Sequence, residues 1–255
     1  MRLGICYMVF DGSELLEFAV NSIRNVIDYI SVTYQTTSYF GNHVDDFTIQ
    51  LLHDLKKQGL IDELIHFDPD LSIHPKYNEL RLRNIGLEAS KKANCTHHIS
   101  ADVDEFYEAD KLNSIKDSVA DDVDFCMAPY FVYYKKPTWL VYPTPKYKVT
   151  FIHSINNEYE INKDFPFQIE ITRRLKVYKT YKVLTLEEMP IHHMSYVRKD
   201  IRRKLLNSDN GKAYNIEKFG VEFDKYELGE RFKIAPDFMN RTTIEVPNIF
   251  NIKGI

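Results

Sequence analysis

A short acidic segment contains the residues best suited to chemistry. Asp102, Asp104 and Glu105 follow an apolar run in THHISADVDEFY. Side chains two residues apart on an extended chain share a face, so Asp102 and Asp104 can direct both carboxylates at one point. Two adjacent carboxylates repel unless a cation lies between them, and Mg²⁺ or Mn²⁺ suits oxygen ligands completed by water and phosphate. The segment predicts a divalent cation site on both residues, although Asp-x-Asp alone also fits a solvated loop.

Two histidine pairs could complete this cation site. His192 and His193 lie in PIHHMSY, a short apolar run that predicts a strand. Neighbouring strand residues point to opposite faces, so at most one of the two can reach a given site, and both stay candidate ligands. His97 and His98, ahead of Asp102, are weaker candidates because a buried histidine is more often structural.

A catalytic base is predicted at Glu170. It stands between Ile169 and Ile171 in QIEITRR, which is interpreted as a strand. A carboxylate with apolar neighbours can have a raised pKa, as a general base at neutral pH requires. Glu187 and Glu188 are the alternatives, and a retaining reaction would need no such base.

The first half of the chain alternates strand and helix patterns that would position the acidic segment. LGICYMVF, YISVTYQ, LIDELIHF and THHISADVDEFY predict strands, and helices are predicted after Asp11, over 45–58 and over 76–92. Asp11 with Glu14 predicts a capping box for the first helix. The alternation is typical of βαβ units and a parallel sheet, in which ligands bind at the carboxyl ends of the strands.

The second half changes character. DFCMAPYFVYYKK, KYKVTFIHSI and RRLKVYKTYKVL predict strands in an antiparallel extension of the sheet, with short helices near 198–207 and 215–219. The segment 241–255 carries no clear pattern. The sequence therefore predicts a single α/β domain, 1–255, with a mixed, mainly parallel sheet and an antiparallel C-terminal extension.

Composition excludes several classes of protein. The chain has 255 residues, of which 44% are hydrophobic and 27% charged, so disordered and collagen-like classes are ruled out. No run reaches the roughly 18 apolar residues of a membrane span, and the three cysteines show no ligand spacing. We therefore expect no membrane insertion and reduced thiols in a cytoplasmic protein, in a host cytoplasm if the source is viral.

Charge is divided unevenly along the chain. Residues 1–130 carry a net charge of −11 and residues 131–255 one of +7, against −4 for the whole chain. The basic half is interleaved with tyrosines and would suit an anionic acceptor or a leaving diphosphate. A pI of about 6.1 argues against a dedicated nucleic-acid binder. Its basic residues include Arg173, Arg174, Lys176, Lys179, Lys182, Arg198, Lys199, Arg202, Arg203 and Lys204.

One stretch resembles a known family. RLRNIGLEASKKANCTHHI followed by SADVDEFYE is similar to the nucleotide-sugar domain of family-2-like glycosyltransferases with the GT-A fold, in which Arg-Asn-x-Gly precedes a strand ending in Asp-x-Asp. YMVFDGSELLEFAVNSI and YISVTYQTTSYFGN resemble the family's first strand and helix and its second strand and loop. The resemblance covers 1–130 and extends more weakly to about 205. Two features of the family are absent. Its Asp-Asp-Gly-Ser at the end of the second strand, where an aspartate contacts the base or ribose, is replaced by residues 34–38, and Gln35 is the candidate substitute for that contact. Its acceptor-side Glu-Asp pair is also missing.

The resemblance implies a function and its site residues. It implies a GT-A-like, Rossmann-type nucleotide-sugar lobe over 1–130 and an acceptor-side lobe over 131–255. The implied reaction is the metal-dependent transfer of a hexose or pentose from a nucleotide-diphosphate sugar to a hydroxyl, with a UDP-sugar as the first expectation for the donor. By it, Asp104 binds the Mn²⁺ or Mg²⁺ that bridges the donor diphosphate, and Asp102 contacts the ribose or the metal. Arg81 and Arg83 could neutralise the diphosphate or stack on the base, and Asp11 could contact the nucleotide.

The acceptor and the rival functions remain open. A glycan, a lipid or, as in phage-type enzymes of this kind, a hydroxymethylated base in DNA could receive the sugar. A nucleotidyltransferase normally has a Gly-rich loop and a lysine after the first strand, which MVFDGSE lacks. A phosphohydrolase would place paired aspartates at the first strand. A non-enzymatic nucleotide-sugar-binding protein is the remaining alternative.

Overall fold

The computed structural model describes residues 1–118, 123–209, 211, 215–232 and 240–255. In this part of the chain, eleven strands belong to one sheet. The strands are β1 (Leu3–Val9), β2 (Tyr29–Tyr34), β3 (Glu63–His66), β4 (His97–Asp102), β5 (Glu105–Phe106), β6 (Phe125–Tyr134), β7 (Trp139–Tyr142), β8 (Lys148–Ser154), β9 (Tyr181–Val183), β10 (Ile191–Tyr196) and β11 (Thr242–Glu245). The helices are α1 (Ser13–Ile23), α2 (Asp46–Lys57), α3 (Pro75–Lys92), α4 (Ala109–Ser118), α5 (Ile201–Leu206) and α6 (Ile216–Lys225), with a 3₁₀ turn at Ile171–Arg173.

The first four strands form the parallel part of the sheet. β1 lies between β2 and β4 and is parallel to both, and β3 adds to β2 in the same direction. Val9 is opposite Tyr34, and Met8 is opposite Asp102, so the carboxyl ends of β1, β2 and β4 are level. The residues after these ends, including Asp11, Gln35 and Asp104, therefore leave the sheet at one edge.

The second half of the chain extends this sheet with strands of both directions. β8 is antiparallel to β4 and β6, and β7 and β11 continue antiparallel from β6. β9 and β10 run parallel to β6, and β5 is antiparallel to β10. The predicted fold class, a mixed α/β sheet with a parallel N-terminal part and antiparallel additions, is confirmed.

Several local predictions differ from the structure. Gly12, with φ 83°, is the N-cap of α1 and has no side chain to cap it, so the predicted Asp11–Glu14 capping box does not form. RRLKVYKTYKVL contributes only β9 and the end of the 3₁₀ turn. Arg173 is not in a strand, because its buried guanidinium donates to Ser100 O and holds this part of the chain in the turn. The sequence did not predict α4, and α6 extends beyond the predicted 215–219.

The motif that carries the family resemblance fixes α3 against the sheet. Asn84 donates to Tyr159 O at 3.0 Å and accepts from Tyr159 N at 3.1 Å, which fastens the segment before the 3₁₀ turn to the helix. A Cβ at Gly86 would collide with Cys6 of β1, so only glycine permits this close approach. The motif thus brings α3 into contact with the strands that end at the cleft.

The core contains apolar side chains from both halves of the chain. Ile5, Leu16, Leu112, Phe151 and Leu205 are fully or almost fully buried in one cluster. No helix in the described ranges is both long and apolar enough to cross a bilayer.

Candidate functional site

A cleft of about 630 Å³ lies at the carboxyl ends of β1, β2 and β4. The first half of the chain lines it with residues that follow these strands, and the second half lines it with residues from loops, β10 and α5. The predicted site residues in its lining are Asp11, Gln35, Asp102, Asp104, Glu170 and His193. Other polar and aromatic residues of the lining include Tyr39, Lys76, Tyr147, Arg198 and Lys204.

Glu105 anchors the floor beneath this cleft. Its side chain is fully buried and accepts hydrogen bonds from Arg173 Nη2 and Tyr130 OH, both at 2.6 Å, and from Tyr107 OH at 3.0 Å. Arg173 Nη2 also lies 3.0 Å from Asp102 Oδ2. A buried charge is costly unless it is paired and hydrogen-bonded, and here each is. The contacts fix the chain around Asp102 from below.

Arg83 holds the other side of Asp102. Its guanidinium is buried and lies 2.8 Å from Glu79 Oε1, 3.3 Å from Asp102 Oδ1 and 3.4 Å from Glu170 Oε2. Both oxygens of Asp102 therefore face arginines. Arg83 does not line the cleft, so it is placed to position Asp102 rather than to contact a ligand. We call the group Glu79, Arg83, Asp102, Glu105, Glu170 and Arg173 the closed cluster.

Glu170, the predicted base, lies in this closed cluster. It precedes the 3₁₀ turn and is not on a strand. Lys76 Nζ lies 2.7 Å from its Oε1, and the Oε2 atom lies within 3.5 Å of Arg83 and Arg173. Burial raises its pKa, but these three cations outweigh burial and hold the pKa well below its usual range. A carboxylate with so low a proton affinity does not suit a general base.

Asp104, two residues after Asp102, has a different environment. Its side chain is buried, and Oδ2 accepts a 2.6 Å hydrogen bond from Arg198 Nη2. Oδ1 makes no hydrogen bond and lies 3.5 Å from His193 Nε2. Burial raises the pKa of Asp104, but Arg198 and then His193 lower it well below normal, so the carboxylate is ionised.

Three further groups surround Asp104. Arg198 is 6% exposed, and its Nε and Nη1 atoms have no hydrogen-bond partner. Lys204 Nζ donates to Ser195 Oγ at 2.8 Å, and burial lowers its pKa. Asp11 has a pKa raised by burial. We call Asp11, Asp104, His193, Arg198 and Lys204 the open cluster, because buried atoms of Asp104 and Arg198 make no hydrogen bond.

Two residues of the open cluster, Asp104 and His193, are placed to bind a divalent cation. Neighbouring ligands of an octahedral ion with bonds of about 2.1 Å stand about 3 Å apart, close to the 3.5 Å between Asp104 Oδ1 and His193 Nε2. The described residues contain no group of three or more His, Cys, Asp or Glu side chains suited to a metal ion. Mg²⁺ commonly takes few protein ligands and fills its sphere with water and substrate phosphate. Asp104 and His193 can supply such a share.

The other predicted cation ligands are engaged elsewhere. Asp102 faces two arginines, as described above. His192 points to the opposite face of β10, where Nδ1 lies 2.8 Å from Tyr133 OH and Nε2 lies 3.1 Å from Glu108 Oε1. The strand geometry thus separates His192 from His193, as the alternation of strand side chains requires. His97 and His98 lie at the start of β4, the end of the strand away from the cleft.

Gln35 and Arg81, both predicted to contact the nucleotide, differ in position: Gln35 lines the cleft and Arg81 does not. Gln35 is buried in the cleft wall, and its Nε2 donates to Thr37 O at 3.2 Å. Tyr39 lines the cleft with it, and no motif around Tyr39 marks it as a site residue. Arg81 is more than half exposed, lies 4.0 Å from Asp70 and does not line the cleft. Its position agrees with a solvated helix residue.

The comparisons with known proteins concern the fold. No protein-family profile matches the sequence, and no protein of curated function does. Among solved structures, TarS of S. aureus is 13% identical with a TM-score of 0.45, over 88% of this chain and 70% of that one. The mannosyltransferase PcManGT of Pyrobaculum calidifontis, in complex with GDP-Man and Mn²⁺, is 10% identical with a TM-score of 0.47, over 93% and 66%. HddC of Yersinia pseudotuberculosis is 10% identical with a TM-score of 0.39, over 86% and 100%.

With identities of 10–13% and TM-scores below 0.5, none of these likenesses assigns a function or a site residue to this chain.

Proposed function

We propose that the protein is a glycosyltransferase that moves a sugar from a nucleotide-diphosphate sugar to an acceptor hydroxyl with a divalent cation. The observation that carries the proposal is the Oδ1 atom of Asp104, which makes no hydrogen bond, is buried at the carboxyl edge of the parallel strands and lies 3.5 Å from His193. In open α/β sheets, ligands bind at this edge. The sequence resemblance gives the reaction, and the geometry supports a site for it.

The nucleoside part of the donor site is assigned to the first half of the chain, and the diphosphate part to residues of both halves. The nucleoside would lie against Gln35 and Tyr39, and the diphosphate would lie beside Asp104. A cation held by Asp104 and His193 would supply positive charge to the leaving diphosphate. The closed cluster would keep Asp102 and the loop after it in place, since its buried ion pairs resist movement of the strand end.

The acceptor site is assigned to the second half, over 131–255. Tyr147 and Ile169 line the cleft from this side, and the Tyr147 ring is about half exposed, as a platform for a sugar ring would be. A glycan acceptor therefore suits the site. The basic residues that favoured DNA are less available than the sequence indicated, because Arg173 and Arg198 are buried and Arg202 pairs with Asp224 at 2.9 Å.

A donor panel tests the proposal. Uridine, guanosine and cytidine diphosphate sugars are titrated calorimetrically with Mn²⁺ and with EDTA, and hydrolysis or transfer is followed by mass spectrometry. We expect one nucleotide class to bind in a Mn²⁺-dependent manner and to be consumed, UDP-sugars first. Binding without turnover in the presence of glycan acceptors would instead favour a nucleotide-sugar-binding protein, and absence of any binding would contradict the proposal.

Matched variants assign the effect to the cleft. Asp104→Asn should lower donor turnover by about a hundredfold or more, since it removes the charge that holds the cation. Asp117→Asn makes the same chemical change at an exposed residue of α4 and should leave turnover unchanged. Glu170→Gln should lower stability more than turnover if its role is in the closed cluster.

A salt titration tests DNA as the acceptor. Binding of hydroxymethylated duplex DNA is measured from 50 to 200 mM salt. A protein that neutralises several backbone phosphates loses affinity steeply over this range. We expect weak binding with a shallow slope, and tight binding with a steep slope would reinstate DNA.

A further inference from the structure

Arg198 is a buried cation whose hydrogen-bonding capacity is only partly used. It lies between β10 and α5, lines the cleft and pairs through Nη2 with Asp104. Its Nε and Nη1 groups are also buried and make no hydrogen bond. Leaving buried donors of a charged group unsatisfied is costly, so the position suits an incoming acceptor. A guanidinium presents its N–H groups as a fork that matches anions with several oxygens, such as phosphate.

Two neighbouring features also favour an anion. Lys204, six residues after Arg198, lines the same cleft and uses one of its three N–H donors on Ser195. The first residues of α1 lie beside Arg198: Gly12, its N-cap, is so close that an added Cβ would collide with the guanidinium. The 11-residue helix has no side-chain cap, so the positive end of its dipole faces the same space.

The charges around Arg198 indicate when an anion would bind. The carboxylates that interact with it are Asp104, Asp11 and Glu14, and Lys204 is the second cation of the group. These three carboxylates and two cations sum to a net charge of −1, so the protein groups alone do not attract an anion. A divalent cation on Asp104 would change this sum to +1, and an anion would then be favoured.

We propose that Arg198, assisted by Lys204, is the protein ligand of the donor diphosphate, and that it binds a diphosphate together with a divalent cation. The proposal rests on the proposed function for the identity of the donor, but the site would hold inorganic pyrophosphate as well. Arg198 therefore has two partners: Asp104 in the free protein, and the diphosphate oxygens in the complex.

Calorimetric titration of the full chain with magnesium pyrophosphate tests this site. Arg198→Ala should weaken pyrophosphate binding by about tenfold or more, and Lys204→Ala by several-fold, because each loses a charge-assisted contact. Arg198→Lys keeps the charge but loses the fork, and should fall between wild type and Arg198→Ala. It also serves as the variant that folds if the alanine variant does not, as thermal unfolding would show. Lys199→Ala removes the same charge from an exposed neighbour and should change binding by less than about twofold.

The outcomes separate this proposal from the proposed function. Pyrophosphate binding that depends on Arg198, with no nucleotide-sugar bound, would support the anion site and overturn the donor. Nucleotide-sugar and pyrophosphate binding that both survive Arg198→Ala in a folded protein would overturn the anion site alone. An equal loss in Lys199→Ala would show general electrostatic attraction and would also overturn it.

Discussion

Two charged clusters meet at the end of β4, and they differ in how far their groups are satisfied. In the closed cluster, Asp102 faces Arg83 and Arg173, and Glu105 accepts hydrogen bonds from Arg173 and two tyrosines. Its one unbonded nitrogen, Arg173 Nε, still lies 3.5 Å from Glu170. In the open cluster, Asp104 and Arg198 pair through one atom each, and three of their buried polar atoms make no hydrogen bond. Of these three, Asp104 Oδ1 lies 3.5 Å from His193 Nε2.

This difference assigns different roles to two aspartates of one motif. A carboxylate whose oxygens both face cations of the protein contributes to the position of the chain, whereas a buried carboxylate with an oxygen that makes no hydrogen bond can bind a ligand. Asp102 lines the cleft and is 32% exposed, but each of its oxygens faces an arginine, so we propose that it positions the chain and that Asp104 binds the ligand. The sequence motif treats them alike, and only their long-range partners distinguish them.

The largest expected effect is on stability, through the closed cluster. Arg173→Met leaves Glu105 buried without its cation and should lower the free energy of unfolding by about 3–5 kcal/mol. Chemical denaturation followed by circular dichroism measures it. Lys176→Met, three residues on and largely exposed, should change stability by less than about 0.5 kcal/mol. A loss below about 1 kcal/mol in Arg173→Met would show that the closed cluster does not stabilise the fold.

A second expected effect is a loss of folding stability in mild acid, and the closed cluster should not be its cause. The low pKa of Glu170 keeps its charge through mild acid. At the other end of β4, His98 and His153 face each other and are fully buried. Burial lowers the pKa of His98 well below normal and lowers that of His153 to about 4. These histidines are therefore neutral in the fold at neutral pH.

The sign of the pH effect follows from these pKa values. Between the unfolded pKa of about 6.5 and about 4, the unfolded chain binds more protons than the fold, so stability is full above this window and falls with pH. His153 alone should account for about 3 kcal/mol by pH 4. Urea unfolding from pH 7 to 4 measures the slope, which His153→Gln should reduce and the half-exposed His66→Gln should not. An equal slope in His153→Gln and wild type would exclude His153 as a source of the acid sensitivity.

The smallest expected effect is a loss of stability from crowding beside the open cluster. Gly12 and Gly59 have φ values of 83° and 75°, so alanine is strained at both. A Cβ at Gly12 would also meet the Arg198 guanidinium and Val103, whereas nothing lies within 4 Å at Gly59. Gly12→Ala should therefore cost about 1–2 kcal/mol more than Gly59→Ala in urea unfolding. Equal costs would show that Arg198 moves away freely and that the pairing with Asp104 is loose.

The local part of the fold could be predicted from the sequence. The strands and helices up to Asp102 follow from runs of apolar residues and their periodicity, and the Asp-x-Asp segment lies where those elements place it. The strand predicted for RRLKVYKTYKVL is present only as β9, because tertiary contacts of the buried Arg173 and Leu175 override the β-type composition of its first part. The cytoplasmic location and the division into two lobes stay predictions.

The roles of individual site residues were less predictable. Arg173 lies 68 residues from Glu105, and Arg198 lies 94 residues from Asp104, so nothing local marks these pairs. Glu170 seemed suited to a raised pKa because its sequence neighbours are isoleucines. Its spatial neighbours are three cations, and they reverse the shift. A carboxylate's chemistry depends on groups that the fold brings from elsewhere.

Mn²⁺ affinity in the presence of UDP, measured by electron paramagnetic resonance of the free ion, tests the different roles of the two aspartates most directly. The account predicts that Asp104→Asn weakens Mn²⁺ binding by about tenfold or more, whereas Asp102→Asn, in a folded protein, changes it by less than about threefold. Equal losses in both variants, or a loss in Asp102→Asn alone, would contradict the assignment of the cation to Asp104.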